Sequence, residues 1–169
     1  MEDQSSIWRK GNAMDKNIKI IYNMLKWKNT PETIEEGKRS AREVKDLSLL
    51  IMPASEPSVW EYCADILSEK DDAELTPYLD RLFEWITDLN LPGAMTISER
   101  LARFDGEVLK DAFIASYNKA AEIDGHEGLR RIDYLSDLLD NADLRNILPN
   151  DIVDVLRQHY HNWCYWYKE

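Results

Sequence analysis

Apolar residues recur along this chain at three- and four-residue spacings almost everywhere, and runs with strict two-residue alternation are short and rare. That period predicts helices and leaves little from which to build a sheet. Residues 1–12 carry no such pattern. Ile18, Ile20, Ile21, Met24 and Leu25 predict a helix over about Asn17 to Trp27. Thr30-Pro31-Glu32 reads as a helix start, with a capping hydroxyl, proline at the first turn and acids behind it. This helix is expected to run to about Leu50 and to be broken by Met52-Pro53-Ala54-Ser55-Glu56-Pro57. Further starts are read at Pro57, at Thr76-Pro77, after Leu91-Pro92-Gly93, at Gly106, after Gly125 and at Asn150-Asp151, the last helix running towards Tyr167.

The helices counted from Thr30 are roughly 10–18 residues long with short turns between them, which makes consecutive helices antiparallel neighbours. Two-helix units recur at roughly 35–45 residues, the range of HEAT-like repeats, without a repeated sequence. The expected fold is therefore all-α: a HEAT-like array of antiparallel helix pairs or a helical bundle, with about seven helices. Residues 1–29 are expected to form an arm or a helix packed on a main domain of residues 30–169.

Charge changes the picture next. The 169 residues hold 21 basic and 32 acidic side chains, a net charge of −11. Residues 1–60 carry 10 basic against 9 acidic side chains, and residues 61–169 carry 11 against 23, so the negative field belongs to the later two-thirds. Such a chain repels nucleic acid and anionic lipid, and its natural macromolecular partners are basic. No apolar run reaches membrane-spanning length, and the amino-terminal segment lacks the basic-then-apolar form of a secretory signal. Cys63 and Cys164, far apart, form no disulfide framework and fit a reducing cytoplasm.

The acids fall in rows. Asp80, Glu84 and Asp88 stand at i, i+4 and i+8, opposite the apolar stripe of their helix, and Asp133, Asp137 and Asp140 at i, i+4 and i+7. Like charges so spaced each destabilise a helix by about 0.2–0.5 kcal/mol. Further acids lie at Glu69, Asp71, Asp72 and Glu74, and at Asp105, Glu107 and Asp111. A solvated face that keeps the protein soluble and a site for a basic partner both account for these rows.

Catalytic and metal chemistry finds less to work with. His159, His161 and Cys164 form H-x-H-x-x-C in the last helix, but spacings of two, three and five do not bring all three to one helix face. His159 falls on the apolar stripe, which fits a core histidine better than a metal ligand. Cys63 lies on an apolar stripe beside Trp60 and Ile66, a setting that raises a thiol's pKa and makes it inert. There is no phosphate-binding glycine loop, nucleophile elbow or zinc-protease signature, so neither an enzyme nor a cofactor is indicated. An enzyme using His126 or His159 with a nearby carboxylate is the residual catalytic reading. The tail from Tyr160 to Tyr167 is aromatic, but Arg157 and Lys168 are its only cationic neighbours, so it reads as a seal on the core rather than a stacking platform.

One stretch carries a resemblance. Leu82-Phe83-Glu84-Trp85-Ile86-Thr87-Asp88-Leu89-Asn90-Leu91-Pro92-Gly93-Ala94, preceded by Leu50-Ile51-Met52-Pro53 and the helix from Ala64 to Leu67, resembles a family of small bacterial helical domains of HEAT-like character. Such domains occur among immunity proteins of bacterial toxin systems, including contact-dependent growth inhibition. The resemblance covers roughly Asp46 to Tyr167, and Leu91 stands where the family often has tryptophan. In that family the motif builds the fold, with Trp85 and Pro92 setting one helix pair against the next, and it identifies no partner contacts. The resemblance implies that residues 30–169 form a cytoplasmic immunity domain that masks a cognate toxin domain without turnover. The toxin would be a basic nuclease, such as an RNase, which agrees with the charge. Asp80, Glu84, Asp88, Asp133, Asp137 and Asp140 are the expected contacts. The alternatives are a helical adaptor unrelated to toxins and a DNA mimic that binds a DNA-handling protein.

Overall fold

The computed structural model of the chain describes residues 17–160. Most of them lie in helices, and no strand occurs among them. The first helix, α1, covers residues 17–24. Its Ile18, Ile21 and Tyr22, with Leu25 just beyond, sink into the same hydrophobic core as the rest of the molecule. The Tyr22 hydroxyl donates to the Leu49 carbonyl.

Thr30 caps α2 (Pro31–Arg42) as its chemistry requires, its hydroxyl accepting from the Thr33 amide. The helix stops well short of Leu50. The Asp46 carboxylate accepts from the Ser48 amide and so starts a separate 3₁₀ turn, Leu47–Leu50, that buries Leu47 and Leu50. A second 3₁₀ turn (Pro57–Val59) leads into α3 (Trp60–Ser68). The start expected at Thr76-Pro77 is a 3₁₀ turn between two pieces of helix, α4 (Asp72–Leu75) and α5 (Leu79–Trp85). Asp71 and Glu74 form a reciprocal capping box on α4. After α6 (Ala94–Ala102) comes α7 (Gly106–Ala121), capped by Asp105, whose carboxylate accepts from the Glu107 and Val108 amides. The helix α8 (His126–Ser136) tightens into a 3₁₀ turn, Asp137–Asp140. Asn141 then caps a short α9 (Ala142–Ile147), and α10 (Asn150–His159) follows. Beyond the seven or so helices expected from Thr30, the described residues carry two short ones, α4 and α9, started by the Asp71 and Asn141 side chains in stretches that read as connections.

The helices stack next-but-one into two layers. In one, α3 packs on α6, α6 on the 3₁₀ turn after α8, and α8 on α10. In the other, α5 packs on α7 and α7 on α9. The layers are joined where α7 meets α8 and where α9 meets the Asp137–Asp140 turn. This is how an array of helix pairs buries one continuous core between its layers. No described helix is long and apolar enough to cross a membrane.

The joint between α5 and α6 shows why the motif around Trp85 is structural. Trp85 is fully buried, donates Nε1–H to the Pro92 carbonyl at 3.0 Å and meets Trp60 edge to face with ring centres 6.0 Å apart. Trp60 donates in the same way to the Pro53 carbonyl at 3.0 Å. Gly93, at φ +79°, lies against Ala64 and Trp60 and gives its amide proton to the Glu61 carboxylate at 2.8 Å.

Candidate interaction surface

The two acidic rows have different fates. On α5, Leu79, Leu82, Phe83 and Trp85 are buried, which leaves Asp80 and Glu84 on the solvent side. Asp88 follows the end of the helix. It is half-buried, and its carboxylate accepts from the amide and the side chain of Asn90, both at 3.0 Å, so it shapes the turn.

The second row is not a surface row, and Asp133 is corrected from contact to core. It is 2% exposed, and its Oδ1 lies 2.6 Å from Nδ1 of His159 on α10. Both sides of α8 are covered, by α7 and by α10, so residues 132–136 are all buried and acid spacing no longer marks a wet face. Asp137 is half-buried. Asp140 is exposed and accepts the Tyr160 hydroxyl, a bond that pushes that phenol up to about 12. The row largely serves to hold the end of α10 onto α8.

Most of the remaining acids are also committed. Asp71, Glu74 and Asp105 cap helices. The Glu69 carboxylate accepts from Arg42 at 2.7 and 2.9 Å, and this pairing holds it below the usual carboxylate range. Asp72 takes Arg100 at 2.5 Å and the Asp105 amide at 2.8 Å. Arg100 is a buried cation that the sequence pattern passes over. It also donates to the Lys70 carbonyl and lies 5.0 Å over the ring of Phe104, tying α4 to α6.

Glu36, Glu43, Glu99, Glu107 and Glu122 make no side-chain hydrogen bond or ion pair among the described residues, and neither do Asp80, Glu84 and Asp111. The last three line one trough. Asp80 and Glu84 stand on α5 beside Ala112, Ala115 and Ser116 of α7, around a shallow cleft with a free volume of about 20 Å³, room for about one water. The trough continues past Asp80 towards Thr76, Pro77, Val108 and Asp111. At its other end are Lys119 and Arg131, the latter paired with Glu127 at 2.7 Å. Asp111 was read only as part of a scattered acidic group, because nothing in the sequence says that α7 lies beside α5.

Cys63 is fully buried, and burial pushes its thiol up to about 12, as its place on the apolar stripe implies. His159 turns to Asp133, His126 is exposed at the start of α8, and His161 and Cys164 lie outside the described residues. Among the described residues no group of three or more His, Cys, Asp or Glu is placed to hold a metal ion.

The fold and surface together define an all-α helical protein with a shallow cleft between α5 and α7 lined by both acids and cations. A domain of unknown function, DUF5071, matches residues 61–114, from α3 into α7, a span that contains the Trp85–Gly93 joint and Asp80, Glu84 and Asp111. No curated protein and no solved structure matches the chain.

Proposed function

We propose that this protein is a cytoplasmic immunity protein. It binds a cognate basic toxin domain, a nuclease of the RNase kind, and neutralises it by stoichiometric masking without turnover. The observation that carries this reading is the set of uncommitted carboxylates of Asp80, Glu84 and Asp111 on one trough. A carboxylate held in a cap or an ion pair is already neutralised locally. One left free projects its charge and attracts a cation. The net charge of −11, placed mostly beyond residue 60, adds a long-range field of the same sign. A nuclease cleft is positive because it holds phosphates, so opposed fields steer the encounter. The motif around Trp85, which resembles immunity-protein domains, supplies the class of partner.

The test is a pull-down with the product of the neighbouring gene, followed by stopped-flow association with the captured domain. Glu84→Lys should slow association about tenfold at low salt and flatten its salt dependence. Asp154→Lys on α10 changes the net charge equally but leaves the trough intact, and should do much less. The reading fails if no 1:1 complex forms, or if the two substitutions act alike.

A further inference from the structure

We infer that the apolar groove between α1 and the end of α2 is a docking site for the segment of this chain that precedes α1, with Ile7 and Trp8 as anchors and Arg9 and Lys10 set against the acids of the groove. The groove shares no residue with the cleft between α5 and α7. Asn17, Ile20, Ile21 and Met24, at the i, i+3, i+4 and i+7 positions that share one face of α1, form one wall. Ser40 of α2, and Val44 and Leu49 beyond it, form the other. The free volume between the walls is about 480 Å³, inside the range of about 300–1,000 Å³ over which protein clefts bury a ligand. Both walls are fixed by the fold. The Tyr22 hydroxyl ties α1 to the Leu49 carbonyl, and Gly37 brings α2 against α1, since a Cβ there would lie 2.9 Å from the Met24 Cβ. Ile20 remains 55% exposed on the rim.

Position, reach and chemistry select the occupant. The wall begins at Asn17, the residue to which residues 1–16 are joined, so that segment is held at the mouth of the groove at a millimolar effective concentration. The nine residues from Trp8 to Asn17 span up to about 30 Å when extended. The wall from Asn17 to Met24 is about 10 Å long, so the segment can fold back over all of it. Gly11-Asn12 is a turn pair at which the chain can reverse. Ile7 and Trp8 are the only apolar side chains in residues 2–12, and an adjacent pair of that size suits a groove with room for two large side chains. Glu43 and Asp46 are the only charged groups among the described residues that line the groove, and both are negative. Arg9 and Lys10, directly after the anchors, complement them. A second copy of the chain would offer the same segment only at its bulk concentration, and the tethered one wins.

The experiment uses the full chain. Trp8→Ala should move the amide signals of Ile20, Val44 and Leu49, all distant from position 8 in sequence. A fluorescent peptide of residues 1–12 should bind the Trp8→Ala chain at least about tenfold more tightly than the parent chain, whose groove is filled by its own segment. Adding Ile20→Asp to the Trp8→Ala chain should abolish that binding, and Ile20→Ser at the same exposed site serves if the aspartate variant misfolds. A peptide carrying Arg9→Glu and Lys10→Glu should bind more weakly than the parent peptide. A spin label at Ser5→Cys, in a Cys164→Ser background, should broaden the same three signals within one molecule and needs no change at Trp8. The inference is overturned if Trp8→Ala leaves those signals in place, or if the peptide binds the parent and Trp8→Ala chains equally, which would give the groove to a foreign segment. It is also overturned if a labelled chain broadens the signals of a separate, isotope-enriched chain as strongly as its own, which would give the groove to a second copy.

Discussion

Replacing Gly93 by alanine should cost the fold about 3–5 kcal/mol, and the terms can be separated. Gly93 holds φ +79° and ψ −8°, in the left-handed region, where an L side chain costs about 1–2 kcal/mol. A Cβ there would lie 2.5 Å from the Ala64 Cβ, 2.9 Å from the Trp60 carbonyl oxygen and 3.1 Å from Cζ2 of Trp85. Carbon atoms prefer about 3.5–4.0 Å, so α3 and the turn must separate by about 1 Å, a typical overpacking cost of about 1–3 kcal/mol. The shift also strains the bond from the Gly93 amide to Glu61, a neutral donor on a carboxylate. The assay is urea unfolding followed by tryptophan fluorescence, since Trp60 and Trp85 flank the joint. The melting temperature should fall by roughly 10 °C for a chain of this size. Ala64→Gly supplies the internal check. Alone it costs about 1 kcal/mol in helix propensity. Combined with Gly93→Ala it removes the nearest clashing atom, so the double variant should be more stable than the sum of the two losses predicts. A loss below about 1 kcal/mol for Gly93→Ala, or strict additivity with Ala64→Gly, would refute the account of this joint.

Two further outcomes test the interior. Arg100→Met keeps the aliphatic bulk but strips the donors from the Lys70 carbonyl and Asp72; it should destabilise the fold by about 2–4 kcal/mol in urea titration, with Arg100→Lys in between, and parent-like stability of Arg100→Lys would show that the guanidinium fork is not what matters. In a Cys164→Ser background, Cys63 should resist a thiol reagent until the protein unfolds globally. The neutral buried thiol contributes its full stability below the ordinary value of 9.0, and the contribution drains away as pH climbs from there towards about 12, so labelling of native protein at pH near 8 that does not depend on urea would contradict its burial.

What the sequence could and could not announce follows from the range of each interaction. Thr30 and Asp105 cap helices through bonds to amides two or three residues away, so the chain carries that information locally, and the starts of α2 and α7 are readable from it. The same chemistry misleads when an acid is taken for surface charge. Asp46 and Asp71 are equally local caps, and treating them as solvated acids joins a 3₁₀ turn to α2 and hides α4 altogether. The Trp85–Pro92 joint is a middle case: its partners are seven residues apart, and the motif signals that they matter before any packing is known. Arg100 reaches Lys70 and Asp72, some thirty residues back, so no short-range pattern marks it as buried.

The two acidic rows show where periodicity stops being informative. Asp80 and Glu84, and Asp133 and Asp137, have the same four-residue spacing. Spacing places two side chains on one face of one helix and says nothing about what covers that face. Asp80 and Glu84 stay exposed on α5, while the face of α8 is closed by α10, which brings His159 to Asp133. A buried carboxylate is tolerated only with a partner, and the imidazole at 2.6 Å is one. The polar partner that explains Asp133 therefore lies in a different helix, 26 residues on, and no property of α8 alone foretells it. A charge that the fold has already answered contributes to stability, and a charge that the fold leaves unanswered adds to the field outside it.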